Sequence, residues 1–94
     1  MQFAITLEKN NPEYHDKYGS VLLAYGNVEG AIRELTAAAQ LNPESRGVML
    51  RLGNTFNQKG DTARALEQYK KFLQRDSMSY DAKQIHVWIR QSGN

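Results

Sequence analysis

From Asn11 onward, apolar side chains recur at the three- and four-residue steps that place them on one face of a helix. Tyr14, Tyr18, Val21, Leu22 and Tyr25 form the first such stripe. Asn11 suits its N-cap, Pro12 suits the first helical position, where a missing N–H costs nothing, and Gly26 suits a left-handed stop. Asn27 then caps a second helix carrying Val28, Ala31, Ile32, Leu35, Ala38 and Ala39, which runs to about Leu41 before Pro43 ends it. The same grammar returns with Ser45 as the next start, Gly60 as the stop, Asp61 as the following cap and a stripe of Ala65, Leu66, Tyr69, Phe72 and Leu73. A last amphipathic stretch carries Met78, Ala82, Ile85 and Ile89 in one stripe, with Tyr80, Val87 and Trp88 extending around it.

The two halves of this pattern are one pattern repeated. Gly19 recurs as Gly53, Gly26 as Gly60 and Ala31 as Ala65, each 34 positions on, and Tyr18/Leu52, Leu22/Phe56, Ile32/Leu66, Leu35/Tyr69 and Ala39/Leu73 follow at the same interval. Backwards, Ala38, Ala39 and Leu41 map onto Ala4, Ile5 and Leu7. Gly19 and Gly53 fall inside helices, where glycine costs about 0.5–1 kcal/mol relative to alanine. Their return in step with the repeat predicts a close helix crossing, with Ala31 and Ala65 as the small residues opposite.

Leu52-Gly53-Asn54-Thr55-Phe56, Gly60-Asp61, and Ala65 followed by Tyr69 resemble the tetratricopeptide repeat, a 34-residue helical hairpin; Tyr18-Gly19, Gly26-Asn27, Ala31-Ile32, Ala38 and Asn42-Pro43 carry the resemblance in the first unit. His15 and Met49 stand where the family often has Trp, Leu22 and Leu35 where it is usually aromatic, and Ser77 where a second closing Pro is usual. The resemblance implies an all-α fold, a short right-handed solenoid of stacked antiparallel hairpins in a single domain. Residues 12–45 would be repeat one, 46–79 repeat two, 1–11 the tail of a preceding repeat helix and 80–94 a C-terminal capping helix. An orphan helix tail at the start suggests a piece of a longer repeat protein.

Such a stack has a concave face that holds segments of other proteins. The family's groove positions correspond here to Glu13, Asp16, Lys17, Ser20 and Leu23 in the first unit and Leu50, Arg51, Asn54 and Asn57 in the second. The resemblance therefore implies a scaffold that binds a peptide segment of a partner protein. The alternative is self-assembly through open solenoid ends at Phe3–Leu7 and Ile85–Ile89. A subclass of the family clamps the C-terminal carboxylate of chaperones with Lys and Asn; its first-repeat positions are Asp16 and Ser20 here, which disfavours that ligand. Trp88 reads as a wide core contact covering the end of the stack, or as part of an exposed patch for a partner or a second copy.

Composition narrows the rest. The chain has 94 residues and no cysteine, which removes thiolate metal sites and cysteine nucleophiles together. Twelve basic and ten acidic residues give a net charge of +2, with the excess in the C-terminal third, where ordinary helix pairs such as Arg64 near Asp61 and Glu67 with Lys71 account for it. No nucleic-acid partner is implied. Phe3–Leu7 is too short for a signal-peptide core or a membrane span, so a cytoplasmic location is favoured and the compartment otherwise stays open. His15 and His86 lie in no metal-ligand spacing and read as structural, and Gly26–Gly30 lacks the Gly-Lys-Ser/Thr ending of a phosphate loop. Glu13 and Asp16 share a helix face with nothing apolar nearby to tune them. No enzyme chemistry, metal or cofactor is expected.

Overall fold

In a computed structural model of the chain, residues 11–92 are described and form five helices: α1 (Pro12–Ala24), α2 (Val28–Leu41), α3 (Arg46–Lys59), α4 (Thr62–Arg75) and α5 (Tyr80–Ser92). α1 packs on α2 and α3 on α4 as two hairpins; α2 joins them by packing on α3, and α5 closes against α4. The reading of residues 1–11 as a preceding helix tail lies outside the described residues except at Asn11, the N-cap of α1.

Caps set the helix starts at a fixed interval. Asn11 Oδ1 accepts from Glu13 N at 2.9 Å, Ser45 Oγ from Val48 N at 3.3 Å and Ser79 Oγ from Ala82 N at 3.2 Å, each satisfying an N–H that the first turn leaves orphaned. These caps are 34 residues apart, so α5 begins in the register of a third first-helix. The second helices start on Asn27 and Asp61, which accept from Gly30 N and Arg64 N. Both hairpin turns need a left-handed residue, supplied by Gly26 (φ 85°) and Gly60 (φ 94°).

The mid-helix glycines mark close crossings. A Cβ on Gly19 would lie 2.8 Å from Leu35 Cγ and 3.3 Å from the Ala31 carbonyl oxygen; one on Gly53 would lie 2.6 Å from Tyr69 Cδ1. The main residues opposite are thus Leu35 and Tyr69, themselves 34 apart, while Ala31 contributes backbone. Large side chains on the second helices fill the space that the glycines leave. Leu35, Ala38, Val48, Met49, Leu52, Phe56, Tyr69, Phe72, Ala82 and Ile85 make one continuous core.

Two sequence expectations change. Met78 precedes α5 and is exposed rather than packed in the stripe with Ala82 and Ile85. In α1 the stripe is only partly interior, since Tyr14, Tyr18 and Val21 are 37%, 43% and 49% exposed, whereas their equivalents in α3, Val48, Leu52 and Thr55, are 3%, 2% and 0% exposed. The helix that covers the α3 positions is α2, and among the described residues no helix covers the matching face of α1.

At the other end, Lys83 and Arg90 stand 34 positions after Met49 and Phe56 and are exposed, with Val87, at the position of Gly53 and 41% exposed, between them. α5 thus exposes two charged side chains around Val87 at the positions that face the second helix in the preceding hairpin. The chain exposes 6352 Å², against about 5,500 Å² for a compact globule of its mass. It measures 50 × 26 × 18 Å, with a radius of gyration of 13.9 Å where a globule would have about 12 Å.

Candidate functional site: the face formed by the first helices

The sequence-derived groove residues lie on α1 and α3, but they are not equally available. Asp16 is held by Arg51, whose Nε and Nη2 donate in a fork to its two carboxylate oxygens and tie α1 to α3. Ser20 Oγ donates back to the Asp16 carbonyl oxygen at 3.0 Å, within its own helix. Glu13 and Lys17 are exposed, and Leu23 is half-buried. Two charged groove residues thus neutralise each other, and the α1 part offers few unengaged groups.

The α3 part is more open. Leu50, Asn54 and Asn57 line a cleft of about 410 Å³ whose other wall is α5, through Asp81, Gln84, Ile85, Val87, Trp88 and Gln91, with Tyr69 also in the lining. Five of these α5 residues were reachable from the sequence: moving 34 positions on from Gly47, Leu50, Arg51, Asn54 and Asn57 gives Asp81, Gln84, Ile85, Trp88 and Gln91. α5 thus contributes to the cleft as well as packing against α4.

Side chains in the cleft are positioned by one another. The Trp88 indole N–H donates to Asn57 Oδ1 at 3.2 Å, and the Tyr69 hydroxyl donates to Asn54 Oδ1 at 2.5 Å. The two rings meet edge to face at 74° with centroids 4.9 Å apart, a preferred aromatic geometry. Trp88 is half-buried, packs against the core and lines the cleft. Burial holds the Tyr69 phenol above the usual tyrosine pKa, because removing water disfavours the phenolate. Ile85, read as part of an open end, is buried in the core.

A second opening, of about 440 Å³, lies between the starts of α1 and α3 and is lined by Asn11, Glu13, Asp16, Asn42, Ser45 and Val48 among others. The histidines do not meet: His15 Nδ1 lies 2.7 Å from Glu34 Oε1, pinning α1 to α2, and His86 is exposed on α5. No described helix is long and apolar enough to cross a membrane.

No protein-family model matches the sequence, and no curated protein matches it. Among solved structures, the crystal structure of MamA is similar, with a TM-score of 0.82 and 21% sequence identity over 95% of this chain and 53% of that one. At that identity the likeness is one of fold, and the chain spans about half the length of the protein it matches. The fold is an all-α helical repeat of tetratricopeptide type, with five described helices and no strand among the described residues.

Proposed function

We propose that the chain is a protein-interaction module of the tetratricopeptide kind that holds an extended segment of a partner protein on the face formed by α1, α3 and α5. Within it, residues 12–45 and 46–79 act as two repeats and residues 80–94 as the terminal helix. The observation that carries this reading is the cleft between α3 and α5. Equivalent positions of successive first helices converge there on one open space, walled by amides and an indole and sized for a few residues of an extended chain. Asp16 and Ser20 stand at the first-repeat clamp positions and Arg51 is engaged by Asp16, so a terminal carboxylate of the chaperone kind is not the expected ligand.

Panning of the chain against displayed random peptides tests the reading. Selected peptides should bind with micromolar or better affinity and lose most of it with Asn57→Ala, while the circular dichroism of the variant stays helical. Binding untouched by Asn57→Ala and Gln84→Ala alike would place recognition elsewhere and refute the concave face.

One observation favours a second reading, assembly through the end of the stack. Tyr14, Tyr18 and Val21 stand at positions whose equivalents in α3 are covered by a second-type helix. A helix of that kind from another copy, or from a further repeat of a longer protein, would cover them. Molecular mass over a concentration series tests the first possibility. A mass that rises with concentration and reverts in Tyr18→Glu supports self-association, and a constant single-chain mass refutes it. At the opposite end the buried Ile85 and the exposed, charged Lys83 and Arg90 of α5 argue against pairing.

A further inference from the structure

We infer that the α3–α5 cleft selects a partner segment carrying a lysine or arginine, with Asp81 as the group that reads the charge and Trp88 as the surface on which the cation rests. The inference rests on the concave-face reading and specifies its ligand.

Three features of the cleft point to this chemistry. The first is the orientation of its amides. An indole N–H can only donate, so Asn57 turns its oxygen toward Trp88 and leaves its NH2 group for a ligand. Asn54, with its oxygen accepting from Tyr69, likewise keeps its NH2 group available. These two donors stand three residues apart on one face of α3, where neighbouring side chains project together. They suit the carbonyl oxygens of an extended peptide, and Gln84 and Gln91 can supply donors or acceptors from the facing helix.

The second is charge. Of the ten lining residues only Asp81 is an acidic or basic residue, and among the described residues it has no ion pair. Arg51, the nearest groove cation along α3, is occupied by Asp16. The opening between α1 and α3 is lined by Glu13 and by Asp16, of which only Glu13 is without the Arg51 fork. In a chain with a net charge of +2, these two openings along the first helices are lined by carboxylates and by no basic side chain. An acidic segment would meet uncompensated repulsion there, and a basic one a carboxylate.

The third is the indole. Trp88 is fixed through its N–H and its edge contact with Tyr69, and it lines the same cleft as Asp81. A cation over an indole face gains about 0.5–1 kcal/mol at an exposed site. A carboxylate and an anchored indole in one cleft form a receptor for an ammonium or guanidinium group, with Leu50 and Val87 left to meet an apolar neighbour in the segment.

Arrays of hexapeptides, randomised except for one central position fixed as Lys, Arg, Leu or Glu, test this on the whole chain. The Lys and Arg sets should bind about tenfold better than the Glu set, the size of effect expected of one charge-assisted hydrogen bond. Asp81→Asn should erase most of that preference, Asp81→Glu should retain it, and Glu67→Gln on the opposite face should leave it unchanged. Equal binding of all four sets, or a preference for Glu, would overturn the inference. If such peptides still lost binding with Asn57→Ala, the concave-face reading would survive alone; if no set bound, both would fall. Asp81 begins α5, where a carboxylate also favours the helix dipole. An Asp81→Asn variant that lowers the melting temperature yet keeps the Lys and Arg preference would assign it that role and refute the charge reading.

Discussion

Gly53 and Tyr69 show most directly how single residues set this architecture. A methyl group on Gly53 would meet the Tyr69 ring, which is buried, held at its hydroxyl by Asn54 and packed in a T-shaped pair with Trp88. The ring has nowhere to go, so Gly53→Ala should destabilise by about 1–3 kcal/mol, as overpacking does, despite the better helix propensity of alanine. Gly47→Ala is the control, because its Cβ would meet only the far end of Arg51; its urea midpoint should stay the same or rise. The Tyr69 phenol adds a pH signature. Its folded-state pKa is raised by burial, so its contribution to stability is complete below the ordinary value of about 10 and is lost as pH rises through the raised one. Absorbance near 295 nm should show one tyrosine titrating later than the others, and Tyr69→Phe should remove that late step.

At the scale of helices, equivalent positions carry different energies according to what lies over them. Leu52→Ala, in the covered face of α3, should cost about 2–5 kcal/mol, whereas Tyr18→Ala at the matching site of α1 should cost less than about 1 kcal/mol in dilute solution. Urea unfolding of the two variants measures the difference. The Asp16–Arg51 fork joins neighbouring first helices while both side chains remain partly accessible. A double-mutant cycle should therefore give about 0.2–1 kcal/mol of coupling, weakening as salt rises. This scale also shows what was legible in the sequence. Gly19, Gly53, Gly26 and Gly60 disclosed the interval and with it the hairpins, because backbone geometry admits few substitutes there. Tyr14, Tyr18 and Val21 share the helical periodicity of Val48, Leu52 and Thr55, and periodicity alone does not tell a covered helix face from an exposed one. In α5 the polar Lys83, His86 and Arg90 break the apolar repeat and mask the equivalence of Asp81, Gln84 and Gln91 with first-helix positions, although Ser45 and Ser79 preserve the interval. Asn54 and Asn57 were found from family position, but their orientation depends on Tyr69 and Trp88, distant in sequence.

The whole molecule is a row of helices whose contacts run between neighbours, and its elongation follows from that plan. Among the described residues the two outermost helices differ: α5 presents Lys83, His86 and Arg90 to solvent, and α1 presents Tyr14, Tyr18 and Val21. Along its inner side, the first helices leave an open cleft where α3 faces α5. The proposal that this inner side holds a partner segment is tested most directly by amide chemical-shift mapping of the isotope-labelled chain with a peptide selected by panning. The account predicts that the largest shifts cluster at Leu50, Asn54, Asn57, Gln84, Trp88 and Gln91. Shifts confined to Tyr14, Tyr18 and Val21, or to the opposite side at Thr36, Gln40, Glu67 and Lys71, would contradict it.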